Sequence, residues 1–311
     1  MTELIGTFFW ASAVRLSAPM FLAAIGETVV QRAGMFNIGI EGMMLVGAFA
    51  GVAGSTITGN TVAGFGLAIV VTAILGFLYG VLVAGFRADQ VVTGIGFNIV
   101  VIGATSLLRS SWLSERIVSL SPGILATHAI PGLSDIPFVG QVLFSQSPVV
   151  YVAYLILPMT SFFLFRTRPG LLLRAVGEQA TAADSAGVPV VWIRIAAMTF
   201  GGMMAGMAGA YLSIVATSGV FIDNMTLGRG FLAIAITIFG RWKPFRVALA
   251  ALLFGAAEAL QFSSQAVFGG SVSPPLLLMI PFVLAIIAWA IMGRGSSAPE
   301  DLGRPFVRSS Q

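Results

Sequence analysis

Long apolar runs follow one another along the chain, separated by short breaks that carry polar or charged residues. A helix needs about 20 mostly apolar residues to cross the hydrocarbon core of a bilayer. Runs of that length predict spans at 4–25, 35–53, 62–86, 91–108, 149–165, 195–217, 225–240, 247–262 and 276–292. Only helices or closed barrels satisfy their backbone groups in lipid, and unbroken apolar runs lack the alternation of barrel strands. The pattern therefore predicts an all-α integral membrane protein, a bundle of about nine (roughly eight to ten) transmembrane helices.

Composition supports a membrane protein and excludes several other classes. Hydrophobic residues make up 57% of the chain, charged residues 9%, and the mean hydropathy is +0.98. The formal net charge is +4, but the basic residues are scattered through short loops, which favours membrane orientation over a nucleic-acid partner. The chain has no cysteine and one histidine, His128, so the sequence predicts neither disulfides nor a metal site.

The positions of Arg and Lys predict the orientation, because cytoplasmic loops are enriched in them. The break at 166–194 carries four arginines and is placed in the cytoplasm, after which alternation puts twelve of the 16 basic residues on that side. The N-terminus is then outside and the C-terminus inside. Residues 1–294 would form the transmembrane domain, with an external loop at 110–147 that contains three prolines. The tail 295–311 is rich in Ser, Pro, Gly and charge, and is expected to be a disordered cytoplasmic segment.

Polar side chains inside spans are costly, so they are functional candidates by default. Asn37 and Glu41 are four residues apart and would share one face of a helix. Interhelical hydrogen bonding is the competing interpretation for all such residues. The candidates for a substrate pathway are Asn37, Glu41, Asn98, Asn224, Thr226, Glu258 and Gln261.

Glycines interrupt the starts of the second and seventh predicted helices, at 34–39 and 228–230. In transporters with internal repeats, short or broken helices at corresponding places mark the substrate region. If helices 1–4 and 6–9 correspond, the two four-helix repeats have inverted orientation. The repeats are a hypothesis, since the two halves share little sequence.

The chain lacks the residues of an ATPase or another enzyme. A P-loop requires Gly-Lys followed by Ser or Thr, and the single lysine, Lys243, is followed by Pro244. Neither a catalytic triad nor a metal constellation is evident. Two functions stay open: a permease driven by a separate ATPase, or a secondary transporter or channel driven by an ion gradient.

The predicted cytoplasmic loop 166–194 contains a short helix candidate from Glu178 to Ala186, which Gly187 would end. By pattern alone it could be a docking helix or a solvated connector. The stretch resembles the coupling segment of ABC importer permeases, in which an Ala-rich helix ending in Gly fits a cleft on the ATPase. The resemblance implies ATPase coupling by Arg174, Gly177, Glu178, Ala183, Asp184 and Gly187.

Three further stretches, 32–51, 224–235 and 239–244, resemble the permease family that serves branched-chain amino acids, simple sugars and nucleosides. The likeness is greatest to the nucleoside and simple-sugar branch, with branched-chain amino acids as the alternative substrate. It implies a second permease subunit, usually different, a cytoplasmic ABC ATPase and an external substrate-binding protein. The setting would be the plasma membrane of a bacterium. ATP and Mg²⁺ would then bind to the partner ATPase, with no cofactor in this chain.

Overall fold

The computed structural model of the chain describes residues 6–113, 127–268 and 298–307, together with positions 279, 283 and 286. Its long helices are α1 (Thr7–Arg32), α2 (Ile40–Thr58), α3 (Thr61–Gly80), α4 (Gln90–Leu108), α6 (Pro148–Arg166), α9 (Val190–Ala210) and α11 (Pro244–Phe268). Its shorter helices are α5 (Val139–Leu143), α7 (Arg168–Glu178), α8 (Ala180–Ser185) and α10 (Arg229–Phe239). Turns of π-helix extend α3, α4 and α9 at Val81–Gly85, Arg109–Leu113 and Tyr211–Ala216.

Within these described residues, seven helices are long and apolar enough to cross a membrane, and α10 is a shorter apolar helix. The predicted all-α membrane bundle is confirmed. Each of the first eight predicted spans overlaps one of these helices. The ninth, 276–292, lies outside the described residues except at three positions and stays a prediction, as do the four-helix repeats that depend on it.

Helices α1, α2, α3 and α9 form the centre of the bundle. In the most apolar stretch of α2, 83% is buried inside the structure, whereas in that of α4 only 22% is buried. Side chains of α4 such as Val92 and Val100 lie on the outside. Small residues bring the central helices together: a Cβ at Gly76 of α3 would lie 3.2 Å from the Cα of Gly202 in α9. Close glycine packing of this kind drives association of membrane helices, where lipid removes the hydrophobic force between them.

Several boundaries differ from the prediction. Helix α1 continues to Arg32 instead of ending at 25, because the polar side chains that follow its apolar run, Glu27 and Gln31, are buried and hydrogen-bonded within the bundle. Helix α2 begins at Ile40 rather than 35, after a turn in which Gly34 has a φ of +83°. Helix α9 begins at Val190, so Arg194 lies buried inside it rather than in a loop.

The two predicted irregular segments contain ordered structure. In the external loop, β1 (His128–Ala129) pairs antiparallel with β2 (Ser145–Gln146), and α5 lies between them. In the tail, which the sequence predicts to be disordered, residues 298–307 fold back on the bundle. The backbone N–H groups of Asp301 and Gly303 donate to the carbonyls of Gly177 and Gly34, each at 3.0 Å, so these partners hold the segment.

The segments predicted to be cytoplasmic meet at one end of the bundle. Arg32 donates from Nε to the carbonyl of Trp242 at 3.3 Å and pairs with Glu178 at 3.7 Å. Arg194 donates from Nη1 to the carbonyl of Arg304 at 3.0 Å. We call this the α7–α8 end. Its assignment to the cytoplasm stays a prediction.

Candidate functional site

Two helices, α2 and α10, start inside the bundle after irregular segments at 33–39 and 217–228. The Glu41 carboxylate, in the first turn of α2, accepts hydrogen bonds from the backbone N–H groups of Gly228 at 2.8 Å and Gly230 at 2.7 Å. The first four N–H groups of a helix lack partners within it, and together they make its N-terminus positive. Glu41, only 5% exposed, therefore caps α10 from another helix.

Glycines make this capping possible. Gly228 has a φ of +82°, in the left-handed region where a Cβ is penalised. A Cβ at Gly230 would lie 2.7 Å from both the Cα and Oε2 of Glu41. The backbone of α10 consequently comes into direct contact with the first turn of α2.

Asn98 caps α2 in a similar way. Its Oδ1 accepts from the N–H of Gly42 at 2.8 Å, and its Nδ2 donates to the carbonyl of Ile38 at 2.9 Å. The amide thus satisfies one donor inside α2 and one acceptor just before it. Asn98 fixes α4 against the start of α2.

The prediction that Asn37 and Glu41 share a helical face is wrong, because Asn37 precedes α2. Its backbone N–H donates to Oε1 of Glu27 at 3.3 Å, and its Nδ2 donates to the sulfur of Met43 at 3.4 Å. The left-handed turn at Gly34 delays the helix start and turns Asn37 toward α1.

Sequence reasoning missed a second polar network, formed by Glu27, Gln31 and Trp242, all buried. Gln31 Nε2 donates to Glu27 Oε1 at 2.8 Å, and Trp242 Nε1 donates to Gln31 Oε1 at 2.6 Å. The network joins the end of α1 to the turn after α10. The predicted first span ends at 25 and therefore leaves out Glu27 and Gln31, although their four-residue spacing continues the helical period.

Other predicted residues surround the start of α10. Arg229 forms an ion pair with Glu258 of α11 and donates to the carbonyl of Met225 at 3.2 Å. Thr226 is fully buried, and its hydroxyl has no hydrogen-bond partner among the described residues. Asn224 is exposed with a φ of +52°, while Gln261 is 5% exposed and lies one turn after Glu258. The structure thus brings Glu41 and Glu258 to the start of α10, with Thr226 buried in the segment just before it, and leaves Asn224 exposed.

The predicted coupling residues lie at the α7–α8 end. The predicted helix from 178 to 186 corresponds to α8, which Gly187, with a φ of +81°, follows in the left-handed conformation expected after a helix. Helix α7, inside the predicted loop, was missed.

The individual coupling residues have different surroundings. Glu178 ends α7, and Ala183 packs in an apolar cluster with Val176, Ala180 and Val190. Asp184 is half-buried on α8, and a Cβ at Gly177 would lie 3.0 Å from the N of Gly34. Arg174 stacks over the ring of Phe165, with 5.1 Å between its Cζ and the ring centre.

Comparison with known proteins identifies the family to which the chain belongs. The guanosine ABC transporter permease protein NupQ of Bacillus subtilis is 32% identical over 305 residues, covering 95% of both chains. The nucleoside ABC transporter permease protein NupC of Lactococcus lactis is 33% identical over 310 residues, covering 94% of both. A Haloferax volcanii protein, named for a permease role in glucose ABC transport, is 39% identical over 254 residues, covering 81% of this chain and 76% of that one.

No solved structure matches the chain. Residues 10–293 match the family described as "Branched-chain amino acid transport system / permease component". The match takes in α1 to α11, both helix starts joined by Glu41 and the α7–α8 segment. The chain therefore belongs to this family of transport-system permeases, which confirms the resemblance found in its sequence.

Proposed function

We propose that the chain is the membrane-spanning permease subunit of an ATP-driven importer for nucleosides or simple sugars. Family membership and the names of the relatives support the importer role, since those names refer to guanosine, nucleosides and glucose. The chain has no P-loop, so a separate ATPase supplies the energy.

The observation that carries the substrate class is the capping of α10 by Glu41. In transporters with broken helices, a half-helix N-terminus within the membrane binds anionic groups of the substrate. Here the Glu41 carboxylate occupies that place at α10. The adjacent cation, Arg229, is paired with Glu258.

A substrate carboxylate at the start of α10 would therefore meet the carboxylate of Glu41, which is already bound there, and the guanidinium of Arg229, whose charge Glu258 already neutralises. Like charges within a few ångströms in a medium of low dielectric repel strongly. Neutral, hydroxyl-rich or heterocyclic molecules avoid that repulsion. This favours nucleosides or simple sugars over branched-chain amino acids.

The partners follow from the same proposal. Helices α7 and α8 dock on a cytoplasmic ABC ATPase, which binds ATP and Mg²⁺, and an external binding protein delivers the substrate to the opposite end. A second, different permease subunit completes the pore. Two permeases of Bacillus subtilis, NupQ and NupP, both match this chain, at 32% and 28% identity, which supports a pair of related subunits. The chain would lie in a bacterial plasma membrane, with its N-terminus outside.

The test is uptake by the full complex in proteoliposomes, with the binding protein on the substrate side and ATP on the ATPase side. We expect uptake of radiolabelled guanosine or glucose that requires ATP and is unaffected by ionophores. Uptake that persists without ATP and stops with an ionophore would instead indicate a gradient-driven transporter. Leucine transported as fast as either ligand would contradict the substrate class.

A further inference from the structure

The C-terminal segment 298–307 is hydrogen-bonded to four separate parts of the α7–α8 end, namely α7, the turn before α2, α8 and α9. The N–H of Asp301 donates to the carbonyl of Gly177 at 3.0 Å, in the last turn of α7. The N–H of Gly303 donates to the carbonyl of Gly34 at 3.0 Å, in the turn between α1 and α2. These bonds place the segment between α7 and the start of α2.

Asp301 also caps α8. Its Oδ2 accepts from the N–H of Ala180, the first residue of α8, at 2.6 Å. The residue before α8, Gln179, makes no capping hydrogen bond with its own side chain. Since α8 has only six residues, too few for stability by helix propensity alone, contacts from outside must hold it.

The same segment contributes apolar packing beneath α8. Phe306 packs against the cluster of Val176, Ala180, Ala183 and Val190, which joins α7, α8 and the start of α9. Arg194 of α9 donates to the carbonyl of Arg304 at 3.0 Å and is only 2% exposed. The segment is thus fixed on the side of α8 that faces the bundle.

The contact at Gly34 connects this arrangement to the junction of α2 and α10, where Glu41 caps α10. Gly34 has a φ of +83°, and a Cβ there would lie 3.0 Å from Nη2 of Arg194 and 3.3 Å from the carbonyl oxygen of Asp301. The turn leads into α2, whose Glu41 holds the N-terminus of α10. Helix α7 reaches this turn directly through Gly177, whereas α8 reaches it through Asp301 and Gly303.

We propose that segment 298–307 links the ATPase-docking helix α8 to the turn before α2, with Asp301 and Gly303 as positioning residues for coupling. The inference rests on the proposed function. A displacement of α8 by the ATPase moves Asp301, then the Gly34 turn, and then the start of α2 with Glu41. Coupling between distant sites requires such a contiguous network of packed and hydrogen-bonded groups.

The test compares Asp301→Ala, Asp301→Asn and the control Glu300→Ala in the full complex in proteoliposomes, with ATP hydrolysis and substrate uptake measured together. Glu300 is the exposed neighbour on the same turn. We expect Asp301→Ala to keep at least about half of the hydrolysis and to lower the substrate moved per ATP by about tenfold, within the range of coupling between two sites. Asp301→Asn keeps an acceptor for Ala180 and should recover most of the ratio. Glu300→Ala should leave it unchanged.

An unchanged ratio in Asp301→Ala, or hydrolysis and uptake that fall in proportion, would overturn the inference. If Asp301→Ala fails to assemble, Gly303→Ala decides, because it strains a φ of +77° and disturbs the Gly34 contact without removing the cap of α8. A lowered ratio in that variant supports the link, and an unchanged ratio overturns it. Absence of ATP-dependent uptake by the wild-type complex would instead remove the proposed function itself.

Discussion

Helices α2 and α10 both start inside the bundle after irregular segments, yet their N-termini are capped by different chemistry. Asn98 caps α2 with a neutral amide, which accepts from Gly42 and donates to the carbonyl of Ile38. Glu41 caps α10 with a carboxylate, which only accepts, from the N–H groups of Gly228 and Gly230. The amide of Asn98 therefore bonds to groups on both sides of the start of α2. The carboxylate of Glu41 instead places negative charge at the start of α10.

The difference gives the two helices different roles. Helix α2 has 19 residues and lies at the centre of the bundle, and Asn98 attaches its start to α4. Helix α10 has 11 residues, about 16 Å, roughly half the thickness of the hydrocarbon core. Its N-terminus is attached to α2 by Glu41, so a shift of the start of α2 carries α10 with it.

The largest effect is expected from Glu41→Ala. It leaves the partly buried N–H of Gly228 and the buried N–H of Gly230 without the carboxylate, and a hydrogen bond to a charged group is worth about 2 kcal/mol. The free energy of unfolding, measured by SDS titration in mixed micelles, should fall by about 4 kcal/mol. Uptake should fall at least about tenfold. Glu41→Gln retains an acceptor, and should stay inserted with slower transport. Wild-type uptake by Glu41→Ala would contradict the role of the cap.

Breaking the Arg229–Glu258 pair should have the next largest effect. Its side chains are 17% and 11% exposed, so removing one partner leaves a charge that is mostly buried. Either Arg229→Ala or Glu258→Ala should lower stability by about 3 kcal/mol. The double variant Arg229→Met/Glu258→Leu should recover most of this loss, because no charge is left unpaired. If the double variant is as unstable as the sum of the single ones, the pair is not the cause.

Replacing the amide cap of α2 should have a smaller effect. Asn98→Ala leaves the N–H of Gly42 and the carbonyl of Ile38 unpaired, at a cost of about 2 kcal/mol in the same titration. Asn98→Asp keeps the acceptor and loses the donor, which sharpens the contrast with the acceptor-only cap at α10. Equal stability of Asn98→Asp and the wild type would show that the donor to Ile38 has no role.

The smallest effect is expected where α10 ends. Trp242→Phe removes the indole N–H that Gln31 accepts at 2.6 Å, and keeps the aromatic packing. The expected loss is about 1 kcal/mol, the usual net value of one hydrogen bond. Because the change is far from the N-terminus of α10, uptake should stay near wild type. A tenfold loss of uptake would instead show that the end of α10 near Trp242 is required for transport.

The sequence predicted the spans well because an apolar run of about 20 residues indicates a helix that crosses the hydrocarbon core, whether it faces lipid or other helices. It also identified Glu41, Asn98 and Glu258 as polar residues that require an explanation within a membrane. It did not predict their partners, since pairing across 187 positions, as between Glu41 and Gly228, depends on tertiary packing. Asn37 was misplaced because the left-handed turn at Gly34 delays α2, and Glu27 and Gln31 were missed because α1 runs further than its apolar run.

The tail shows another limit of sequence reasoning. Residues 298–307 have the composition of a disordered segment, yet their backbone groups have partners in the turn between α1 and α2, on α7 and on α9. Such partners are invisible to composition, which measures only how much apolar area a segment can bury. The short helix α8 was predictable from its ending at Gly187, whereas its cap by Asp301, 121 positions away, was not.

The central claim, that the junction of α2 and α10 lines the translocation pathway, is tested most directly by a single cysteine at Thr226. The chain contains no cysteine, so no other position of this chain is labelled, and Thr226 is fully buried next to the start of α10. In the full complex, we predict that a small water-soluble thiol reagent labels Thr226→Cys at a rate that changes with ATP, and that substrate protects it. Val100→Cys, on the exposed side of α4, serves as the control that ATP and substrate leave unchanged. A labelling rate at position 226 that neither ATP nor substrate alters would contradict the claim.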